Sequence, residues 1–395
     1  MIGMQTAPLP SGHATTRSVS GRTRNADLRK TFFLHAHRHL HEASATSVRA
    51  AARACLASHG FDPARLDPLP VGLMPELSSM RTALSEAGFS WEEIRASGLT
   101  ADARLPGRLV GPIADPAGEI VSFWAFSPFG EKPRCLYSHR GWKHRLALCG
   151  MDVALPAVAA SASDLIVVEE ILDALLLHSY GVLHVAAIGG PAGDLSAERW
   201  QRLASLGVGR VMLACGDCAS WGRGATAAVE NAAQAETAPE VYVLPSDKLP
   251  SMKSLADAIH SLGVDGIARS LERDCVHGFR YKAMMLLAKH KQNVPWTDVS
   301  RRAAVNEAIQ FYSAAHPRTL PELDALFLPP LLDELGLKGS GRPTDAARTE
   351  EPSHDATADA MQSAVATPAS AEAPISPAGL CPVHNCDRMS CFCWD

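Results

Sequence analysis

Between residues 165 and 261 the chain alternates short apolar runs with longer helical patterns, and this alternation constrains the fold more than any other feature of the sequence. The apolar runs that predict strands cover residues 165–168, 184–188, 210–214 and 241–244. The helical patterns that follow them cover residues 171–179, 197–206, 225–234 and 255–261. Strands that alternate with helices in this way predict a parallel sheet with helices on both faces.

Acidic residues stand just after two of these predicted strands. Glu169 and Glu170 follow the first strand, and Asp217 follows the third. Because ligands of such sheets bind outside the carboxyl ends of the strands, these acids are candidates for a binding site. Two other interpretations stay open from the residues alone: the helix dipole could stabilise Glu169, and Asp217 could cap the following helix.

The segments around this block differ from it in composition and pattern. Residues 46–160 combine helical patterns with two strands around the turn at 115–118, and residues 338–379 are rich in Ser, Thr, Ala and Pro. The predicted organisation is a disordered tail (1–45), an α+β subdomain (46–160), the parallel-sheet domain (161–275), a helical segment (276–337), a flexible linker (338–379) and a zinc knuckle (380–395).

Motifs in the sheet domain resemble the Toprim domain of bacterial primases. They are VVEEILDALLLHSYG, HVAAIGG, VMLACGDCASWGRGATAA and MKSLADAIHSLGVDGI. In that family a strand ends in Glu with an Asp four residues on, and a later strand ends in Asp-x-Asp; here Glu169, Asp173 and Asp217 match. The resemblance implies catalytic roles for Glu169 and Asp217, and Mg²⁺ or Mn²⁺ bound by Glu169, Asp217 and Asp257. Asp173 is interpreted as a structural residue that supports the site.

The segment before the sheet domain extends the resemblance to residues 50–275. Its motifs GFSWEEIRASGL, GRLVGPIADPAGEIVSFWAFS and PRCLYSHRGWKHRLALCGMD are similar to the smaller subdomain that precedes Toprim in primases. That subdomain carries basic residues that face template and nucleotide, and Arg108, Arg134 and Lys143 fall on matching positions. Without the resemblance, these three side chains would be interpreted as solvated surface charges.

The sequence departs from the family pattern at its acids. Cys215 stands at the first Asp of Asp-x-Asp, Ser254 stands at the start of the third acidic cluster, and Glu170 replaces what is usually Gly. A thiol is a soft ligand and suits Mg²⁺ poorly. The site could hold one Mg²⁺ with a nucleotide completing the coordination, or it could be inactive. Cys215 and Cys218 could bind a soft metal or be small buried hydrophobic residues.

The last fifteen residues, CPVHNCDRMSCFCWD, concentrate soft and borderline metal ligands. These ligands are Cys381, His384, Cys386, Cys391 and Cys393. Their spacing predicts a small tetrahedral zinc site, a zinc knuckle that could contact single-stranded nucleic acid or a partner protein. The alternative interpretation is an unstructured tail with reactive thiols.

Composition excludes several classes of protein. The 395 residues are 47% hydrophobic and 20% charged with a net charge of −5, so no global basic field attracts nucleic acid, and a nucleic-acid site must be a local patch. No apolar run reaches 18 residues, which predicts no membrane span. The scattered cysteines do not resemble a secreted disulfide scaffold, so a cytoplasmic protein is expected.

These observations predict an α/β protein with a Toprim-like parallel sheet flanked by helices. The smaller α+β subdomain precedes it and the helical segment follows it. The predicted function is metal-dependent RNA primer synthesis from nucleoside triphosphates on single-stranded DNA, in replication of a bacterial chromosome or mobile element. The helical segment could dock a helicase or another replication protein. Two alternatives stay open. One is a catalytically inactive Toprim protein that binds nucleic acid or has a regulatory role. The other is a Toprim nuclease, and the primase-like segment before the sheet domain argues against it.

Overall fold

The structure is a computed structural model, and it describes the two predicted sheet-containing segments and most of the helical segment. The described residues are 16–42, 46–62, 69–138, 148–160, 164–214, 218–245, 255–291 and 296–337, with the side chains of 16–22, 218–222, 255–257 and 260 excepted. The predicted linker and zinc knuckle, Lys143, Cys215, Asp217, Ser254 and the side chains of Cys218 and Asp257 therefore lie outside the described residues.

The first element is a long helix, α1 (Thr16–His41), where the sequence predicts a disordered tail over residues 1–45. That prediction is wrong for this span. Leu28, Phe32, Ala36 and Leu40 recur every fourth residue and are almost fully buried, so they form one apolar helix face. Most of the positions between them hold basic residues, such as Arg29, Lys30 and Arg38, or His, so the composition of the segment does not reveal this apolar face.

The first sheet is antiparallel and has the order β1-β2-β3-β4. Its strands are β1 (Gly72–Leu73), β2 (Leu109–Ala114), β3 (Ile120–Phe126) and β4 (Cys135–Tyr137). The helices around it are α2 (Ser47–Ser58), α3 (Leu77–Glu86) and α4 (Trp91–Ser97). Helix α1 packs on this sheet, with the Phe32 and Phe123 ring centroids 4.9 Å apart. Gly72 permits the close approach, since a Cβ there would lie 2.5 Å from the carbonyl carbon of Ala36.

The second sheet has the order β6-β5-β7-β8-β9 and confirms the predicted strand–helix alternation. Its elements, with the helix that precedes it, are α5 (Met151–Ala160), β5 (Asp164–Val168), α6 (Ile171–Ser179), β6 (Val185–Ala187), α7 (Ala197–Ser205), β7 (Arg210–Leu213), α8 (Cys218–Gln234), β8 (Glu240–Val243), α9 (Leu255–Asp274) and β9 (Val276–His277). Strands β5 to β8 pair in parallel, and β9 adds an antiparallel edge that the sequence does not predict. A 3₁₀ turn, Ala192–Asp194, lies between β6 and α7.

Helices complete the described chain, as the sequence predicts. They are α10 (Gly278–His290), α11 (Asp298–Ala314), a 3₁₀ turn (Pro317–Thr319) and α12 (Leu320–Leu326). The chain divides after Phe327 into a second compact unit, in which the described part is α13 (Leu328–Glu334) and the three residues after it. None of the helices within the described ranges combines the length and apolar character needed to cross a bilayer.

Candidate active site

Glu169 and Glu170 are the first residues after the buried strand β5, at the carboxyl end of the parallel sheet. Glu169 Oε1 accepts a hydrogen bond from the backbone N–H of Ala192, 2.9 Å away in the 3₁₀ turn after β6. Glu170 directly precedes α6, and its carboxylate makes no capping hydrogen bond to that helix. Neither carboxylate therefore serves as a side-chain cap of α6.

The two glutamates line a cavity between the first sheet and the second. Its volume is ≈ 390 Å³. The first sheet and the loop that follows β3 contribute Trp124, Phe126, Arg134, Cys135 and Tyr137, and the second block contributes Glu169, Glu170, Ile171, Leu172, Gly189, Gly190 and Pro191. Acids thus form one side of the cavity, and aromatic side chains with one guanidinium form the other.

Hydrogen bonds from three directions hold the loop after β6 that borders this cavity. The Tyr137 hydroxyl donates to the Gly189 carbonyl at 2.8 Å, which joins the first sheet to the second. The buried Arg199 guanidinium donates to the carbonyl of Ile188 at 3.3 Å and to that of Asp194 at 3.0 Å. Together with the Ala192–Glu169 hydrogen bond, these contacts fix the loop against the carboxylate.

Burial and mutual repulsion keep part of the acidic cluster protonated. Burial raises the pKa of Glu169, the Ala192 N–H opposes this, and the charges of Glu170 and Asp194 raise it further. Asp173, in the first turn of α6 and 8% exposed, has its pKa raised to about 8 by burial and by the charges of Glu170 and Glu169. Glu169 and Asp173 thus have too little positive charge nearby to offset their burial, and a bound cation would relieve this condition.

The oxygen ligands of this cavity fit a hard divalent cation. Mg²⁺ usually takes one or two carboxylates together with water and phosphate oxygens, and Glu169 and Glu170 can supply those carboxylates. Within the part of the chain that the structure describes, no group of three or more His, Cys, Asp or Glu side chains forms a metal site. Because Asp217 and the side chain of Asp257 lie outside that part, their predicted metal binding stays a prediction.

Arg134 supplies the positive charge on the opposite side of the cavity. It belongs to the loop before β4, its side chain is largely exposed, and its guanidinium carbon lies 4.9 Å above the centre of the Phe126 ring. Its attraction lowers the pKa of Asp173 against the stronger effects of burial and of the two glutamates. The structure therefore brings Arg134 together with the predicted acids.

Comparison with known proteins identifies the architecture. No protein-family model matches the chain. A DNA primase of Streptomyces coelicolor is 28% identical over 269 residues, which is 65% of this chain and 40% of that protein. The RNA polymerase domain of Mycobacterium tuberculosis primase DnaG superposes with a TM-score of 0.63 at 21% identity, covering 77% of this chain and 97% of that domain. The chain has the fold of the bacterial primase catalytic core.

Other primase structures agree with this primase-type architecture. A DNA primase domain from Pseudomonas aeruginosa gives a TM-score of 0.61 at 19% identity over 79% of this chain and 98% of that domain. The zinc-binding and RNA polymerase domains of the Aquifex aeolicus primase give 0.60 at 18% identity over 82% of this chain and 76% of theirs. The chain spans about two fifths of the length of the Streptomyces primase, and the low identities mark it as a divergent relative.

Arg108 has a different environment in this primase-type core from the one predicted. The sequence places it with Arg134 as a contact to template or nucleotide, but its side chain is 2% exposed. Its guanidinium donates to the carbonyls of Arg104 at 2.8 Å and Pro133 at 2.9 Å, with a longer contact of 3.4 Å to that of Arg134. The burial argues against direct contact with nucleic acid, since the guanidinium instead organises the loop that carries Arg134.

Arg108→Met is expected to destabilise the fold by about 2–4 kcal/mol, because the substitution removes the buried charged donor of two partly buried backbone carbonyls. Urea unfolding measures this loss. The matched variant Arg134→Met should change the free energy of unfolding by less than about 1 kcal/mol, since that guanidinium is exposed. Equal stability of the two variants would contradict the structural role of Arg108.

Reasoning from the sequence misses several residues that line the cavity, and also His59, which contacts Arg134 from outside it. Phe126, Cys135, Tyr137 and His59 carry no local signal, because their contacts join segments far apart in the chain: the Tyr137–Gly189 bond spans 52 positions and the Arg134–His59 contact spans 75. Burial raises the pKa of Cys135 to about 11, so its thiol is a poor nucleophile in this environment.

Proposed function

We propose that this chain is a primase-type nucleotidyltransferase that makes short RNA primers on single-stranded DNA. The observation that supports it best is the cavity in which the acids after β5 face Arg134 at the carboxyl end of a parallel sheet. Among the structural relatives, one primase catalytic domain is bound to single-stranded DNA, and the Mycobacterium domain is in complex with a double-stranded DNA with a 6-nucleotide overhang. We extend DNA binding to this chain on that basis.

The reaction joins two nucleotides. A 3′ hydroxyl oxygen forms a bond to the α-phosphorus of the incoming nucleoside triphosphate, the bond from that phosphorus to the β-phosphate oxygen breaks, and pyrophosphate leaves. The hydroxyl proton goes to the carboxylate of Glu169, which lines the cavity at the carboxyl end of β5. Arg134 binds phosphate oxygens from the opposite side of the cavity.

The proposed reaction uses a divalent metal ion, for which carboxylates on the cavity wall are candidate ligands. Glu169 and Glu170, with Asp217 and Asp257 as predicted from the sequence, would hold Mg²⁺ or Mn²⁺. When bound, such an ion neutralises the charge that develops on the phosphate oxygens. The hydrogen bond from Ala192 orients the Glu169 carboxylate and uses one of its lone pairs, which leaves the others for the ion and for the hydroxyl proton.

Mg²⁺ is expected to stabilise the protein more at pH 8 than at pH 6. Protons compete with the metal for Glu169, whose pKa is raised, and a protonated Asp173 adds no negative charge beside the ion, so binding weakens on acidification. A concentration tenfold above Kd adds about 1.4 kcal/mol to the free energy of unfolding, which raises Tm by a few degrees. Thermal unfolding with and without Mg²⁺ measures the shift. The same shift in a Glu169→Gln/Glu170→Gln variant would place the metal elsewhere.

A primer-synthesis assay tests the function directly. The full chain is incubated with single-stranded DNA, radiolabelled nucleoside triphosphates and Mg²⁺ or Mn²⁺, and the products are separated by size. Short labelled RNA that depends on template and metal supports the proposal. Binding of DNA without any product would indicate a catalytically inactive regulatory protein, and nicked DNA without nucleotides would indicate a nuclease.

A further inference from the structure

His59, the residue after α2, contacts the guanidinium of Arg134 from outside the predicted site. His59 Nδ1 lies 2.8 Å from the Cys55 carbonyl oxygen. A carbonyl only accepts hydrogen bonds, so Nδ1 carries the ring proton and Nε2 presents a lone pair. That Nε2 lies 3.3 Å from Arg134 Nη2, and the guanidinium can therefore donate to it.

Phe126 supports the same guanidinium from a second direction. Its ring lies 4.9 Å below the guanidinium carbon of Arg134. The His59 ring meets the Phe126 ring edge-on, with centroids 5.5 Å apart and an angle of 89° between the planes. Phe126 is itself fixed in β3, where it is 4% exposed and pairs with Cys135 of β4. Two rings from different elements thus define one orientation of the Arg134 head group.

The backbone of Arg134 is held independently of its side chain. Its carbonyl accepts from the Ser127 N–H at 2.8 Å and from the Arg108 guanidinium at 3.4 Å. The long side chain of Arg134 can still adopt several rotamers. Losing this freedom on binding a ligand costs up to about 2 kcal/mol. Contacts that restrict the side chain before a ligand arrives reduce that cost.

We propose that His59 is a positioning residue that orients Arg134 for the phosphate groups of the incoming nucleotide. This inference rests on the proposed function, because it assigns the ligand of Arg134 within the same cavity. An oriented guanidinium binds phosphate groups well, because its paired N–H donors match two phosphate oxygens. The triphosphate and the DNA backbone both offer such groups, and the assay separates these two sources.

The test measures the coupling between His59 and Arg134 in the full-length protein. The variants are His59→Ala, His59→Gln, Arg134→Ala and the double variant His59→Ala/Arg134→Ala. Calorimetry gives Kd for ATP and for single-stranded DNA, and primer synthesis gives KM and kcat. We expect His59→Ala to raise Kd and KM for nucleotide by about 10- to 20-fold, near the lower end of the range for a hydrogen bond to a charged group, and to change kcat by less than about twofold.

Two comparisons separate positioning from a purely structural role. The side-chain amide of His59→Gln can present an acceptor near the position of Nε2, so this variant should bind nucleotide almost as the wild type does. The double variant should bind no more weakly than Arg134→Ala, since His59 acts through Arg134. Additive losses, or equal losses in the Gln and Ala variants, would overturn the inference. Weakening confined to DNA would overturn the assignment to the nucleotide.

The outcomes also distinguish this inference from the proposed function. Primer synthesis by the wild type without coupling between His59 and Arg134 overturns the inference alone. Coupling in nucleotide binding without primer synthesis supports the inference and overturns catalysis. The variant Arg302→Ala on α11, whose side chain is exposed, is the control for general loss of positive charge and should leave nucleotide binding unchanged.

Discussion

Glu169→Gln is expected to reduce the rate of primer synthesis by about 10²- to 10⁴-fold, the range that a positioned proton-transfer group contributes. The amide keeps the size of the side chain and an oxygen that can accept from the Ala192 N–H, so the loop after β6 should stay in place. What is lost is the negative charge and the proton acceptor. Single-turnover primer synthesis under saturating metal and nucleotide measures the effect.

The control for this substitution is Glu198→Gln, which removes a negative charge from an exposed position on α7. It should leave the rate within about twofold of wild type, as expected for an exposed charge that does not line the cavity. Thermal unfolding of both variants shows whether the fold is preserved. A Glu169→Gln protein that makes primers at the wild-type rate would remove Glu169 from the catalytic machinery.

The parallel sheet can be predicted from the sequence because its signal is local. Strand β5 is an uninterrupted apolar run that is buried on both faces. Helix α6 follows it directly, and its apolar residues recur at the spacing of a helix. Helix α1 shows where this reasoning fails. Its apolar residues are spaced by four among basic residues, so the signal is visible in periodicity and hidden in composition.

The site can be predicted only in part, for a physical reason. The position of Glu169 follows from its place after a buried strand, and that of Arg134 follows only from the resemblance to primases. Arg108 is also an arginine that the resemblance places at the site, yet its side chain is buried and donates hydrogen bonds to backbone carbonyls. Which of two arginines faces the cavity depends on the pairing of β3 with β4 and on α2, and these are contacts between distant segments.

Asp173 connects the electrostatics of the site to the stability of the fold. Its carboxyl group is buried beside two other acids, and its pKa is raised to about 8. An acid whose pKa is higher in the folded state than in the unfolded state binds its proton more tightly when folded. Between pH ~4 and pH 8 the unfolded state therefore releases this proton first, and the contribution of Asp173 to stability falls as pH rises.

Asp173→Asn is accordingly expected to stabilise the metal-free protein at neutral pH by up to several kcal/mol, at about 1.4 kcal/mol for each unit of pKa shift. Asn is a neutral isostere of the protonated acid, so the variant and the wild type should be equally stable near pH 4. The gap should widen steadily toward pH 8. Urea unfolding in EDTA from pH 4 to 8 measures it, with the exposed Asp265→Asn as the control.

The sign of this effect separates two kinds of acidic site. If Asp173 were ionised and paired in the free protein, Asn would destabilise the fold and the loss would be present at neutral pH. A gap that widens with pH in EDTA and narrows when Mg²⁺ is added would instead show that a cation relieves the repulsion among Glu169, Glu170 and Asp173. That result would link the cost of the buried acid to metal binding by its two neighbours, because the charge that makes Asp173 unfavourable is the charge that attracts the cation.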